Sequence, residues 1–224
     1  MIARTAEEFR KTGINLFTNH EVLEVDFDNK KLRVKDLIQN MIIEESYDKL
    51  MIASGASSII PPIKGIDSEN VLTLKSMDDG NKLRALMENE NLKRVTVIGA
   101  GFIGVEAIEA AKKRGKEVTV VQLQDRILAE VFDEEITNLL EEEIRKHDVN
   151  LLLDETVMEI TTAGKVTNIK TNKREFETDI VIVATGFRPN TAFVKNEKLE
   201  MLKNGAIVVD KYGRTSIEDV YAAG

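Results

Sequence analysis

The chain has 224 residues, 42% hydrophobic and 31% charged, with a formal net charge of -8 and a pI near 5.1. That supplies a buried core for one large domain or two small ones. The mixed, net-acidic charge, with no Lys/Arg stripe, argues against a nucleic-acid partner. The longest apolar runs, such as Ile180 to Ala184, are strand-sized against the ~20 residues that cross a bilayer, which argues against a membrane partner.

The start, Met1 to Glu8, turns acidic at once and lacks a leader's apolar core, so the expected location is cytoplasmic. With no cysteine there is no disulfide framework, thiolate nucleophile or thiolate ligand. His20 and His147 stand far apart without a ligand cluster, so no metal site is expected.

In chain order, a short helix over Ala6 to Lys11 leads into strands at Glu21 to Phe27, Leu32 to Val34 and Met41 to Glu44, with a turn at Asp28-Asn29-Lys30 between the first two. This reads as a β-meander. An apolar strand follows within Tyr47 to Gly55 and ends on Ala53, Ser54 and Gly55. Small residues there permit either the close approach of a ligand or a tight turn.

The pattern then changes to a helix over Ser76 to Asn89, a strand over Arg94 to Ile98, a helix over Phe102 to Arg114, a strand over Glu117 to Gln122 and a helix over Asp133 to His147. A second meander is expected at Leu151 to Leu153, Val157 to Thr161, Val166 to Thr171 and Arg174 to Phe176. A strand at Ile180 to Ala184 then ends in Thr185-Gly186. The tail adds short strands at Ile207 to Asp210 and Val220 to Ala223. Alternating strands and helices imply a parallel sheet covered on both faces, so the fold class is α/β, a Rossmann-like three-layer sheet with a β-meander.

Gly99-Ala100-Gly101-Phe102-Ile103-Gly104 follows the apolar strand directly and opens the Phe102 helix; Gly115 closes that helix before the next strand. Each glycine has a task. Gly99 permits the tight turn, Gly101 leaves room for a pyrophosphate, and Gly104 lets helix and strand pack closely. The helix N-terminus, Phe102 and Ile103 included, offers N–H groups to the anion.

Gln122, at the end of the second strand, falls where the adenosine ribose is read. Being neutral, it neither repels nor attracts a 2′-phosphate, so the cofactor is NAD(P)H with a slight lean to NADH; the bland reading is a solvated strand end. Glu106, early in the helix, suits the dipole whether or not it touches ligand.

Four segments together resemble the FAD-dependent pyridine nucleotide–disulfide oxidoreductases, in particular the coenzyme A disulfide reductase and NADH oxidase branch. They are Tyr47 to Gly55, Gly99 to Glu106, Val183 to Asn190 and Arg214 to Gly224. The resemblance implies an FAD domain interrupted by an NAD(P)H domain, with residues 1–75 and 191–224 as partial FAD-domain segments and 76–190 as the NAD(P)H domain. It implies that Phe102 gates the flavin ring, Glu106 contacts the nicotinamide end and Gly186 lets the dinucleotide lie on the sheet edge. Ala53, Ser54 and Gly55 would pass near FAD.

The implied activity is hydride transfer from NAD(P)H to FAD and on to a disulfide, such as that of coenzyme A, or to oxygen, in an intact homodimer. The alternative is an inactive dinucleotide-binding module. Measured against the family pattern, the first FAD glycine motif, the redox cysteine and a dimerisation domain are not in these residues, so a piece of a longer protein, inactive alone and with no catalytic residue of its own, is expected.

Overall fold

The computed structural model describes residues 5–163, 166–194 and 196–224, apart from the Val166 side chain. Helix α1 (Ala6–Lys11) precedes strands β1 (His20–Asp26), β2 (Lys31–Asp36), β3 (Met41–Ser46) and β4 (Leu50–Ile52). Then come β5 (Ala56–Ser58), β6 (Val71–Thr73), α2 (Met77–Glu88), β7 (Arg94–Ile98), α3 (Phe102–Lys112), β8 (Glu117–Val121) and α4 (Glu134–Lys146). The chain continues through β9 (Val149–Leu152), β10 (Val157–Ala163), β11 (Val166–Thr171), β12 (Glu175–Thr178), β13 (Ile180–Val183), β14 (Phe187–Pro189) and β15 (Val220–Ala222). Two compact units result, one from the chain through Ala56 together with Pro189–Gly224, the other from Ser57–Arg188.

In the first unit, the Asp26 carboxylate accepts the N–H groups of Asp28 and Asn29 at 3.1 and 3.0 Å, and Lys30 takes a left-handed φ of 50°. That turn sets β1 antiparallel to β2, with Val25 opposite Leu32, and β3 completes the sheet. Val25 and Phe27 pack with Ile52, Val194, Leu199 and Val220, and β4 pairs in parallel with β15. The expected strand at Ile207 to Asp210 does not form. Only Ile207 bridges to Met201, because the Asp210 carboxylate takes the N–H groups of Tyr212 and Arg214 and folds the chain into a turn instead.

The second unit is built on a parallel sheet of order β6-β13-β7-β8-β9. Its strands are apolar on both faces, as a covered parallel sheet requires, and the period of two sorts them. Val95, Val97, Val118, Val120, Ile180 and Ile182 face a core shared with Leu83 and Met87 of α2 and Ala107, Ile108 and Ala111 of α3. Ile98, Val121, Val181 and Val183 face Val157, Ile160 and Ile169 of the β10-β11-β12 meander. The three layers are thus helices, parallel sheet and meander.

Residues expected to start that meander, Leu151 and Leu152, belong instead to β9 at the edge of the parallel sheet. Val149 and Leu151 turn to the helix-side core and Leu152 to the other, the mark of a strand covered on both faces.

The N-terminal edge of this sheet is closed by its own polar groups. Asp179, just before β13, accepts the N–H groups of Lys93 and Arg94, both at 2.8 Å, and the Arg94 guanidinium at 2.9 Å; Arg94 also reaches Glu177 at 2.7 Å. Burial pushes the Asp179 carboxyl up, but these donors outweigh it and hold it below the usual carboxylate range. Buried Lys116, before β8, donates from Nζ to the carbonyls of Asn89 at 2.9 Å and Leu92 at 2.6 Å, beyond the end of α2.

Candidate functional site

At the opposite, carboxyl-terminal edge of the same sheet lies a cleft of about 630 Å³, formed wholly within the second unit. β7 feeds into it through Gly99, whose φ of 97° suits glycine, and whose hypothetical Cβ would meet the Ala184 carbonyl. Gly104, inside α3, sits so close to β7 that a Cβ would strike the Gly99 carbonyl oxygen. Gly101 differs. A Cβ there would meet no protein atom within 4 Å, and the residue lines the cleft, so the missing side chain leaves open space in front of the helix. The first intrahelical bond runs from Val105 N to Gly101 O at 3.0 Å. The N–H groups of Phe102, Ile103 and Gly104 precede it and stand at the positive end of the helix dipole. Such an arrangement can hold a phosphate anion.

Gln122 lies at the cleft wall, but it is not a solvated strand end. It is 8% exposed; its Oε1 accepts the Ala100 N–H at 2.9 Å, and its Nε2 donates to Gln124 Oε1 at 2.9 Å and to the Arg126 carbonyl at 3.4 Å. The Ala100 carbonyl in turn accepts Leu128 N–H at 3.0 Å, with Leu128 at a φ of 49°. The middle residue of the glycine turn is therefore gripped on both sides by the segment after β8.

Phe102 is exposed at the cleft, its ring edge-on to Phe132 at 6.1 Å. Ile103 and Gly186 also line the cleft. Gly186 takes a φ of 106° and its carbonyl accepts Ile59 N–H at 2.9 Å, while Thr185 Oγ1 donates to Ile59 O at 2.8 Å. Glu106 is exposed on α3 and is not among the lining residues. Ala53, Ser54 and Gly55 belong to the first unit, where they follow β4 as an exposed stretch; Gly55 O and Ser54 O accept from the Asn190 backbone and side chain at 2.9 and 3.0 Å.

Sequence reasoning missed Leu123, Gln124 and the run Leu128 to Val131 after β8, and Thr185 and Phe187 after β13, all of which line the cleft. A signal was present in the apolar pair Ile127-Leu128, both buried, directly after the polar run Gln124-Asp125-Arg126. The charged side chains on the lining are Glu130 and Glu155, and among the described residues no lysine or arginine lines it. Glu155 is 2% exposed and accepts from Thr171 Oγ1 and, at 3.1 Å, from Arg174 Nε.

A glycine turn that opens a helix at the carboxyl edge of a parallel sheet is the architecture of the Rossmann-like dinucleotide-binding proteins. The chain belongs to the pyridine nucleotide-disulphide oxidoreductase family, whose model matches residues 3–224. It is 42% identical to an NADH oxidase of Enterococcus faecalis, across 97% of this chain and 49% of that protein. A CoA-dependent NAD(P)H sulfur oxidoreductase of Pyrococcus abyssi is 38% identical across 96% of this chain and 47% of its own length.

The water-forming NADH oxidase of Lactobacillus brevis, solved with NADH bound, superposes with a TM-score of 0.91 at 41% identity, covering 99% of this chain and 48% of that one. The chain thus spans about half the length of the curated relatives it matches. No described helix is long and apolar enough to cross a membrane.

Proposed function

We propose that the unit Ser57–Arg188 binds NAD(P)H in the cleft at the carboxyl edge of its sheet, and that in the whole protein this serves an FAD-dependent oxidoreductase. The observation that carries the reading is Gly101: it opens the space in front of α3 that a pyrophosphate needs, while Gly99 and Gly104 are fixed by backbone contacts. The cofactors supply the chemistry, hydride passing from NAD(P)H to FAD and onward to a disulfide or oxygen; the protein supplies binding and orientation. Family membership, and relatives named as oxidases and a sulfur oxidoreductase, favour this reading over an inactive binding module.

Within the chain, the first-turn N–H groups of α3 hold the anion, Gly186 lets the dinucleotide lie against the sheet edge, and Phe102 presents a ring at the mouth. Ala53, Ser54 and Gly55 leave a side-chain-poor edge suited to the approach of a flavin dinucleotide. Among the described residues of that unit no glycine turn opens a helix, so they do not by themselves form a flavin pyrophosphate site. The domain boundaries at 75 and 190, the homodimer and the cytoplasmic location remain part of the same proposal for the whole protein.

Titration calorimetry of the 224-residue chain with NADH tests the reading. Stoichiometric binding is expected, without visible flavin absorbance in the purified chain. Absence of NADH binding overturns the reading.

A further inference from the structure

Resting on the dinucleotide reading above, we propose that Glu130, and not Gln122, decides between NADH and NADPH in this cleft. Its strand-end position makes Gln122 the expected contact for the adenosine ribose. Yet a primary amide has two donor hydrogens, and the Gln122 donors go to Gln124 Oε1 and the Arg126 carbonyl, while its oxygen holds the Ala100 N–H. Turning the amide toward a ribose would leave those buried groups unpaired, at the cost of their desolvation. Gln122 is therefore a positioning residue that fastens the glycine turn to the segment after β8.

The discriminating charge has to come from elsewhere on the lining. Glu155 is buried and tied to Arg174 and Thr171. Glu130 is exposed, and its Oε1 accepts the neutral Gln124 Nε2 at 3.2 Å. Arg126 is not among the lining residues; its guanidinium donates to the Phe132 carbonyl at 3.2 Å and lies 3.9 Å from Asp125. A 2′-phosphate, bringing a charge of about -1.5 to -2 at neutral pH, would meet a carboxylate and no lining cation. A 2′-hydroxyl adds no charge and can donate to that same carboxylate.

The test is equilibrium binding of NADH and NADPH to the 224-residue chain by titration calorimetry, at low and high salt, for the wild type and for Glu130→Gln, Glu130→Lys and Gln122→Met. Wild type should favour NADH by about tenfold at low salt, a preference that high salt flattens because the charges are exposed. Glu130→Gln should raise NADPH affinity by roughly three- to tenfold with NADH nearly unchanged, and Glu130→Lys should reverse the preference.

Gln122→Met should weaken both cofactors together and leave their ratio alone. Glu130 is exposed, so the variants there keep the fold even if Gln122→Met does not. An unchanged ratio in both Glu130 variants overturns the assignment, as does a Gln122→Met that changes the ratio while NADH binding holds. A wild type that binds neither cofactor overturns the underlying reading, and this assignment with it.

Discussion

The two edges of one parallel sheet are finished in opposite ways. At the N-terminal edge Asp179, Arg94 and Lys116 satisfy one another's neighbours, leaving charged groups and loop carbonyls paired inside the protein. At the carboxyl edge the chain uses glycines in place of side chains, and the donors of the first turn of α3 point into an open cleft. The same strands carry both ends, so the difference lies in the connections. One edge contributes stability, and the other leaves the first-turn donors of α3 without an intrahelical acceptor, as the proposed dinucleotide site requires.

The comparison breaks most sharply at Gly101. Gly101→Glu is expected to reduce NADH affinity by at least ~100-fold, because a carboxylate would fill the pyrophosphate space with like charge. The melting temperature should move little, as no protein atom lies within 4 Å of the new Cβ and the backbone, at φ -76°, accepts any side chain. Calorimetry paired with thermal denaturation reads both quantities; a large fall in melting temperature would place Gly101 among the structural residues.

The mirror experiment is Asp179→Asn, which should cost about 2 kcal/mol of folding stability by removing the charge that holds two backbone N–H groups and a guanidinium. NADH affinity of the folded fraction should be unchanged. Denaturant melts followed by titration test this, and weakened binding would mean that the two edges are coupled.

Acid sharpens the same contrast. The carboxyl of Asp179 is held below its ordinary value in the folded state, so its contribution is complete above the unfolded pKa of ~3.9 and fades as pH falls through the lower folded value. The stability gap between wild type and Asp179→Asn should therefore narrow below about pH 4. A gap constant to pH 2 would remove Asp179 as its cause.

The smallest effect is expected from Lys116→Met, which leaves the Leu92 carbonyl without its lysine donor, while Asn89 O keeps the Leu92 N–H at 3.1 Å and the apolar stem is retained; about 1 kcal/mol in chemical denaturation is expected, with binding unaltered.

Much of this was legible from the amino acids. Val95 to Ile98, the glycine turn and Phe102 onward declare themselves, because an apolar strand, three glycines and an amphipathic helix each carry their own local signal. Ser76 likewise announces α2, and its hydroxyl and Asp79 do cap one another. Strands β5, β6 and β14 were not legible: each has three residues and is defined by pairing with a strand distant in the sequence, β5 with β14 and β6 with β13. The burial of Gln122 was hidden for a related reason, since a polar residue is buried by the partners that reach it, and two of these, Gln124 and Arg126, lie in a segment without periodicity. Leu151 and Leu152 were placed in the wrong sheet because an apolar pair does not reveal whether one face or two will be covered.

The polypeptide also leaves and rejoins its first unit at nearly one place. Gly55 O accepts Asn190 N–H at 2.9 Å within that unit, while Gly186 O accepts Ile59 N–H at 2.9 Å within the second. Each body thus closes its own gap with a hydrogen bond, and the stretch between behaves as a cassette: a gene can gain, lose or exchange it at one locus, with a short turn sufficient to heal the host.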